Sequence, residues 1–438
     1  MSNIIPAERT LNLKPRVWQE LNDTIDKEKA INLTRGSPDF IFTNRVLRNL
    51  RYVADDNVSP SLHQYARSTG HLRLVNALAK LYNQRFRHDP CVSGEIPENL
   101  REATFGADRC INPLTEIIIS VGGVGALSTI FLALIDPGDE VVVIEPAFDC
   151  YAPQIEAAGG VYVGVPLVPP KDTKCRVDSS EFTVDWEELE LKITRKTKML
   201  LLNTPCNPGG KVFTKEEIKK IADICIRHDL ICLSDEVYEW LVFPPHKHYK
   251  IASFPGMWER TITVGSAGKV FGVTGWKIGW TIGPELFINA MQLIQQNTTY
   301  AMWTPLQEAL AQTIEEMIST LDTNDCFFRK LSLQIAEKRD RFANALESVG
   351  LCPVIPQGGF FMLANISNVE GPKREKDDKR PYDVVFNEWM MKNKGIAGAP
   401  LSAFFNDANS SFADDYLRFC IVKDDSTLDK VEECLKKW

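Results

Sequence analysis

The sequence lacks long apolar runs and dense runs of basic residues. No segment approaches the roughly 18 uninterrupted apolar residues that a membrane-spanning helix needs. The start, MSNIIPAERTLNLKP, carries Glu8 and has no apolar core of a secretory signal. The formal net charge of −8 and the scattered lysines and arginines do not favour a surface that follows nucleic-acid phosphates. We therefore expect small molecules or other proteins as partners, and neither a membrane nor nucleic acid.

Cysteine and histidine patterns that bind metals are also absent. The 11 cysteines include no C-x-x-C pair, and no cysteine and histidine cluster has metal-ligand spacing. We interpret the cysteines as reduced thiols, expect no metal site, and place the six histidines in loops or on the surface. The expected location is the cytoplasm, with a mitochondrial location left open.

The central part of the chain alternates strand-like and helix-like segments. From about residue 117, apolar runs such as EVVVIEP, KMLLLN and LICLSD are separated by helical patterns. One of these helices opens with the capping-box spacing of Thr214 and Glu217. Such continuous apolar strands predict an α/β fold with a mostly parallel central sheet flanked by helices.

The character of the chain changes after about residue 310, where long amphipathic helices precede short strands. This part predicts a smaller α+β domain. We assign residues 51–309 to the large domain, and residues 1–50 and 310–438 to the small one. Two charged segments rich in Pro and Gly, 91–108 and 370–383, are expected to be exposed insertions.

Polar and aromatic residues follow the predicted strands. In parallel sheets, ligands bind beyond the carboxyl ends of the strands. The segments at these ends are GGVGA (122–126), EPAFDCY (145–151), NTPCNPGG (203–210), DEVY (235–238) and SAGK (266–269). Together they supply a lysine, an aspartate, asparagines, aromatic side chains and a glycine-rich turn.

This set matches the needs of a pyridine cofactor that carries an aldehyde and a phosphate. Lys269 supplies an amine for the aldehyde, and Asp235 a carboxylate for the ring nitrogen. Ser266, Lys277 and the GGVGA backbone supply an anion pocket. Each feature alone also has a plain structural interpretation, such as turn geometry for GGVGA or a helix cap for Asp235. Their joint occurrence favours the cofactor.

Longer motifs carry a family resemblance. NTPCNPGGKV, SDEVYEWLVF, SAGKVFGVTGWKIGW and YLRFCIVKDDSTL resemble class I pyridoxal-phosphate aminotransferases of fold type I. They are most similar to the kynurenine aminotransferases, also known as cysteine-S-conjugate β-lyases and glutamine transaminase K. The segment QQNTTYAMWTPLQEALAQ resembles the third mammalian type of that group.

The resemblance implies pyridoxal 5′-phosphate as cofactor and a homodimer whose active site is shared between subunits. It assigns Lys269 as the catalytic residue that joins the cofactor. It assigns cofactor contacts to Gly123, Val124, Phe148, Asn207, Asp235, Tyr238, Ser266, Lys277 and Tyr65. It assigns substrate contacts to Trp18, Gly36, Asn207, Tyr300 and Arg418. Tyr65 and Tyr300 are expected to reach in from the second subunit.

The implied activity is ping-pong transfer of the amino group of L-kynurenine, glutamine, methionine or phenylalanine to a 2-oxo acid, with cysteine-S-conjugate β-lyase activity beside it. A dedicated β-lyase and a non-catalytic binding protein of the same fold remain alternatives. The chain departs from the family in three places. LTRGSPDF replaces LGQGFPDF, so Arg35 and Ser37 add charge or polarity near the substrate entrance. Val124 replaces a common tyrosine, and GAP (398–400) replaces the bulkier AIP.

Overall fold

The computed structural model describes residues 6–7, 10, 18–55, 57–87, 109–172, 175–373 and 378–438. The predicted insertion 91–108 lies outside these residues, and the insertion 370–383 lies only partly inside them.

Helices of the described chain fall into an earlier and a later group. The earlier helices are α1 (Trp18–Glu28), α2 (Asn44–Val53), α3 (Leu72–Arg87), α4 (Gly122–Leu134), α5 (Tyr151–Ala157), α6 (Trp186–Leu191) and α7 (Lys215–Arg227). The later helices are α8 (Ala267–Val270), α9 (Glu285–Thr298), α10 (Thr304–Ile318), α11 (Phe327–Glu347), α12 (Tyr382–Lys394) and α13 (Asp425–Leu435).

The strands are β1 (Ile31–Asn32), β2 (Ile117–Val121), β3 (Glu140–Glu145), β4 (Val161–Val168), β5 (Val177–Asp178), β6 (Thr183–Val184), β7 (Thr197–Asn203), β8 (Ile231–Asp235), β9 (Thr261–Ser266), β10 (Ile278–Ile282), β11 (Cys352–Ile355), β12 (Phe361–Asn365), β13 (Ile396–Ala397), β14 (Ala399–Pro400) and β15 (Tyr416–Cys420).

An eight-stranded sheet forms the centre, in the order β2-β10-β9-β8-β7-β3-β4-β6. The strands β9, β8, β7, β3 and β4 run parallel, whereas β10 runs antiparallel to both of its neighbours. Every residue of β8, β9 and β10 is buried, as expected for a sheet covered on both faces. The prediction of a mostly parallel α/β sheet is confirmed.

A second sheet, in the order β14-β15-β12-β11-β5, is mostly antiparallel. Four of its strands follow residue 350, in the part of the chain predicted to be α+β. The fifth strand, β5, comes from the range assigned to the large domain and pairs parallel with β11. The amino-terminal β1 pairs with β13, which supports grouping residues 1–50 with the later part. The domain limits themselves stay a prediction.

Within the described ranges, no helix combines the length and apolarity needed to cross a bilayer. None of the ten described cysteines forms a disulfide.

Pairing between strands brings the chemically important ends together. Asn203 at the end of β7 lies opposite Asp235 at the end of β8, and Ser266 at the end of β9 lies opposite Gly279 of β10.

Candidate active site

A cavity of about 320 Å³ opens beyond the carboxyl ends of β7, β8 and β9. Most of the predicted site residues line it: Trp18, Gly36, Gly123, Val124, Phe148, Asn207, Asp235, Tyr238, Ser266, Lys269, Lys277 and Arg418. The fold therefore collects in one place side chains that are as far apart in sequence as residues 18 and 418.

Asp235 supplies a buried carboxyl at the cavity wall. Its side chain is almost inaccessible, at 4% exposure, and Oδ2 accepts a hydrogen bond of 2.7 Å from the Tyr151 hydroxyl. Burial raises the pKa of Asp235 to about 6, although the bond from Tyr151 acts in the opposite direction. Above that pH the group is a carboxylate that favours a positively charged partner in the cavity.

Asn203 fixes the two strand ends that frame this carboxyl. Its Nδ2 donates to the backbone oxygen of Asp235 at 3.0 Å, and its Oδ1 accepts from the backbone N–H of Asn207 at 2.7 Å. The side chain thus ties the ends of β7 and β8 to the loop that carries Asn207.

Lys269 lies on the short helix α8, which directly follows β9. Its Nζ donates a hydrogen bond of 2.6 Å to the backbone oxygen of Gly36. Burial lowers the pKa of Lys269 to about 8, and the nearby charges of Arg418 and Lys277 act in the same direction. A substantial fraction of the amine is therefore neutral and nucleophilic at slightly alkaline pH.

The amino terminus of α4 has features that suit an anion. This 13-residue helix has no side chain capping its first turn, and Gly122 takes the left-handed φ of 65° that favours glycine. A β-carbon on Gly122 would lie 3.5 Å from Nζ of Lys277. Ser266 also makes no side-chain capping bond at the start of α8. Free N–H groups, a hydroxyl and an ammonium group suit a phosphate.

Arg418 is a buried cation on β15, with 3% exposure. Its Nη1 donates to Oδ1 of Asn207 at 2.8 Å, and its Nη2 donates to the backbone oxygen of Thr34. Burial lowers the pKa of Arg418 to about 10, so the group remains charged at neutral pH. In the described part of the chain no carboxylate forms a salt bridge with it, and its Nε has no hydrogen-bond partner. A buried unpaired cation favours binding of an anion.

Aromatic side chains line part of the cavity. Trp18 donates through Nε1 to Asp149, and the Phe148 ring lies 5.7 Å from that of Tyr151. A β-carbon on Gly36 would lie 2.6 Å from Cζ of Phe361 and 3.2 Å from Nζ of Lys269. Only glycine at position 36 leaves this part of the cavity open.

Tyr65 and Tyr300 do not line the cavity of the single chain. They are 82% and 60% exposed, and their rings contact each other with centroids 5.2 Å apart. Their assignment to the site of a second subunit stays a prediction.

The sequence-based assignment does not include several residues of the cavity wall, among them Tyr151, Asn203 and Phe361. Tyr151 and Asn203 belong to the strand-end segments EPAFDCY and NTPCNPGG, so their positions after predicted strands could have marked them as site residues. Phe361 lies on β12 of the second sheet, where its ring stacks 3.8 Å from Cζ of Arg418. No local pattern marks it.

His248 lies in a loop, as one of the two predicted settings had it, but it is not at the surface. His248 is buried, and its Nε2 lies 2.8 Å from Oε2 of Glu236. Together with Glu239 these groups have the spacing of a metal site. Nζ of Lys250 lies 2.6 Å from Glu236 and 2.5 Å from Glu239, so an ammonium group already balances the two carboxylates. The spacing of these residues in the sequence does not show that His248 is buried.

The described side chains fit pyridoxal 5′-phosphate. Lys269 offers the amine, Asp235 the carboxylate for the ring nitrogen, and α4 with Lys277 the phosphate site. Arg418 remains for the carboxylate of an amino acid. These contacts remain proposals. Each of them gives a charged group of the cavity a partner of opposite charge or a reaction that suits its burial.

Comparisons with known proteins identify the family of the chain. The family model for aminotransferase class I and II matches residues 28–434. Kynurenine–oxoglutarate transaminase 3 of Bos taurus is 45% identical over 434 residues, which cover 99% of this chain and 90% of the relative. Kynurenine–oxoglutarate transaminase 1 of Rattus norvegicus is 38% identical over 441 residues, 100% of this chain and 99% of the relative.

Solved structures show the same fold. Bna3p from Saccharomyces cerevisiae superposes with a TM-score of 0.87 at 30% identity, over 100% of this chain and 99% of that one. YbdL from Escherichia coli, which has a methionine aminotransferase function, superposes with a TM-score of 0.83 at 27% identity, over 99% and 100%. The chain therefore belongs to the class I and II aminotransferases, the pyridoxal-phosphate-dependent family of fold type I that its motifs predicted.

Proposed function

We propose that the protein transfers the amino group of L-kynurenine to a 2-oxo acid, giving kynurenic acid, and that it also accepts glutamine, methionine and phenylalanine. One observation carries this proposal: the Lys269 amine and the unpaired Arg418 guanidinium share one cavity with the buried Asp235 carboxyl. The kynurenine–oxoglutarate transaminases among the relatives support the choice of amino donor.

Pyridoxal 5′-phosphate, when bound, supplies an aldehyde that takes up amines and a ring that accepts the electron pair of a broken bond. The amino terminus of α4, Ser266 and Lys277 would hold its phosphate, and Asp235 would face its ring nitrogen. Tyr238, Asn207 and Phe148 line the same cavity, and Phe148 offers an aromatic face. Asp235, ionised at neutral pH, keeps a proton on the ring nitrogen.

Arg418 and Asn207 orient the substrate. The planar guanidinium can donate two parallel hydrogen bonds to a carboxylate, and its Nη1 also donates to Oδ1 of Asn207 at 2.8 Å, which orients it. This places the α-carbon of an amino acid on the Lys269 side of the cavity. Trp18 and Phe148 provide apolar surface for a large neutral or aromatic side chain.

Lys269 acts as the general base. Its burial favours the neutral amine, which takes the proton from the α-carbon and later returns one. The same proton removal permits loss of a thiol from the β-carbon of a cysteine conjugate, with the electron pair leaving on sulfur. We therefore propose cysteine-S-conjugate β-lyase activity as a side reaction.

Two further proposals concern the oligomeric state and the cellular location of the enzyme. We propose a homodimer, because Tyr65 and Tyr300 are large exposed aromatic residues in contact with each other. We also propose a cytoplasmic location, in line with the sequence-based expectation.

Steady-state assays test the proposed donor range. With a common 2-oxo acid, we expect kcat/KM for kynurenine, glutamine, methionine and phenylalanine to exceed that for aspartate at least about ten-fold. The amino group should appear on the oxo acid in equal amount to the kynurenine consumed. Lys269→Ala, the matched control, should lose turnover and keep its fold. Transfer from aspartate alone, or from no amino acid, would contradict the proposal.

A further inference from the structure

The cavity contains more positive charge than the proposed chemistry uses. Its charged side chains are Arg35, Asp149, Asp235, Lys269, Lys277 and Arg418. Lys269 is the base, Lys277 faces the phosphate site and Arg418 faces the α-carboxylate. Of the two carboxylates, Asp235 serves the ring nitrogen and Asp149 accepts from Trp18. Arg35 has no role in this assignment.

The backbone around Arg35 is held at the centre of the site. On one side, the oxygen of Thr34 accepts from Nη2 of Arg418. On the other side, the oxygen of Gly36 accepts from Nζ of Lys269 at 2.6 Å. The Cα atom of Arg35 is therefore held in place by its two neighbours, whose backbone oxygens bind Arg418 and Lys269. The long Arg35 side chain can change its rotamer while this Cα atom stays in position.

The side chain of Arg35 is exposed and yet lines the cavity. It forms no ion pair with any residue that the structure describes. A rim guanidinium of this kind keeps its hydration until an anion reaches it, and it can turn into solvent when a neutral side chain enters. A single site can in this way accept both neutral and acidic ligands.

We propose that Arg35 binds the second carboxylate of a dicarboxylic 2-oxo acid and of the matching acidic amino acid, while Arg418 binds the α-carboxylate. This inference rests on the proposed amino transfer and deepens it by naming the class of amino acceptor. Arg35 is thus a specificity residue, and it takes no part in the proton transfers.

Two variants isolate the contribution of the guanidinium. Arg35→Gln removes it, and Arg51→Gln removes an exposed arginine of α2 that does not line the cavity. Both change the net charge equally, so a difference between them does not reflect the general field of the protein. KM is measured for 2-oxoglutarate and for 2-oxopentanoate, which has the same chain length without the second carboxylate.

We expect Arg35→Gln to raise KM for 2-oxoglutarate on the order of ten-fold, as for loss of one charge-assisted hydrogen bond. KM for 2-oxopentanoate should change far less, Arg35→Lys should retain part of the preference, and Arg51→Gln should match the wild type. An equal effect on both oxo acids, or no effect on either, would overturn the proposal.

Calorimetric titration separates this inference from the proposed function. Wild-type protein should bind the unreactive dicarboxylate glutarate more tightly than pentanoate, and Arg35→Gln should lose that difference. If the wild type transferred no amino group but showed this difference, the function would fail and Arg35 would still bind the second carboxylate. Equal binding of glutarate and pentanoate to the wild type would refute the role of Arg35.

Discussion

Burial has moved the pKa values of Lys269 and Asp235 toward neutrality from opposite sides. Lys269 falls to about 8 because an ammonium group loses hydration, and Asp235 rises to about 6 because a carboxylate does. Between these values the lysine is mostly charged and the aspartate mostly ionised. The cavity therefore suits a cofactor that would react with the Lys269 amine and present a positive charge to the Asp235 carboxylate.

The first prediction concerns the pH dependence of Lys269. In cofactor-free protein only the neutral amine attacks an aldehyde, so the rate of coupling to pyridoxal phosphate should rise with pH, with a midpoint near pH 8. Borohydride reduction followed by peptide mapping would confirm that the label is on Lys269. A midpoint above about pH 10, the range of an ordinary lysine, would show that burial does not act as described.

The second prediction concerns Tyr151. In Tyr151→Phe the carboxyl of Asp235 loses its hydrogen-bond donor, so its pKa rises further and less of it is ionised near neutral pH. The acid limb of the kcat/KM profile should shift to higher pH, with activity at pH 7 reduced on the order of ten-fold.

Tyr162→Phe is a matched control for this variant. The Tyr162 hydroxyl also donates to a carboxylate, Oε1 of Glu145 at 3.0 Å, and the residue does not line the cavity. Its pH profile should equal that of the wild type. If the acid limb of the Tyr151→Phe profile stayed at the same pH as in the wild type, the Tyr151 hydroxyl would not lower the pKa of Asp235, which would contradict the prediction.

Sequence patterns predicted the reactive residues better than the buried residues that pack around them. Lys269, Asp235 and Asn207 follow strands within distinctive motifs, and the structure places all three in the cavity. Phe361 and His248 depend instead on contacts that no local period or spacing reveals. The Phe361 ring lies 3.8 Å from Cζ of Arg418, and Nε2 of His248 lies 2.8 Å from Oε2 of Glu236.

At the scale of the element, the capping box of α7 is confirmed. The Thr214 Oγ1 accepts from the backbone N–H of Glu217 at 3.1 Å, and Glu217 Oε2 accepts from that of Thr214 at 2.8 Å. The third prediction is that Thr214→Ala lowers the free energy of unfolding by about 1 kcal/mol.

Urea denaturation would measure this loss. Thr214→Ser keeps the accepting hydroxyl and should unfold close to the wild type. Neither variant should alter kcat, because α7 does not line the cavity. If the free energy of unfolding of Thr214→Ala equalled that of the wild type, the cap would not stabilise the helix.

Other elements depended on tertiary pairing. The repeated strand and helix pattern predicts parallel neighbours, and β10 instead enters the sheet antiparallel between β2 and β9. The two-residue β5 joins the second sheet from within the first half of the chain. Both choices are set by pairing with remote strands, which a local pattern does not encode.

At the scale of the whole molecule, the fourth prediction is that the active site is shared between subunits. Sedimentation should give twice the chain mass of 49.4 kDa. A hybrid of one Lys269→Ala subunit and one Tyr65→Ala subunit then has one site with both changes and one with neither. Such a hybrid should recover about half of the wild-type activity.

The opposite result is equally clear. If Tyr65 served the cavity of its own chain, each site of the hybrid would carry one change, and activity would stay at the level of the parent variants. That result would contradict the proposed contact across the interface.

The central claim, that Lys269 and its neighbours carry amino transfer from kynurenine, is tested most directly by an absorbance spectrum. Protein loaded with pyridoxal phosphate is recorded before and after addition of L-kynurenine without any oxo acid. We predict that the band of the lysine-bound cofactor converts to the amine form, once per chain, and that a 2-oxo acid restores it. A spectrum that L-kynurenine leaves unchanged would contradict the account.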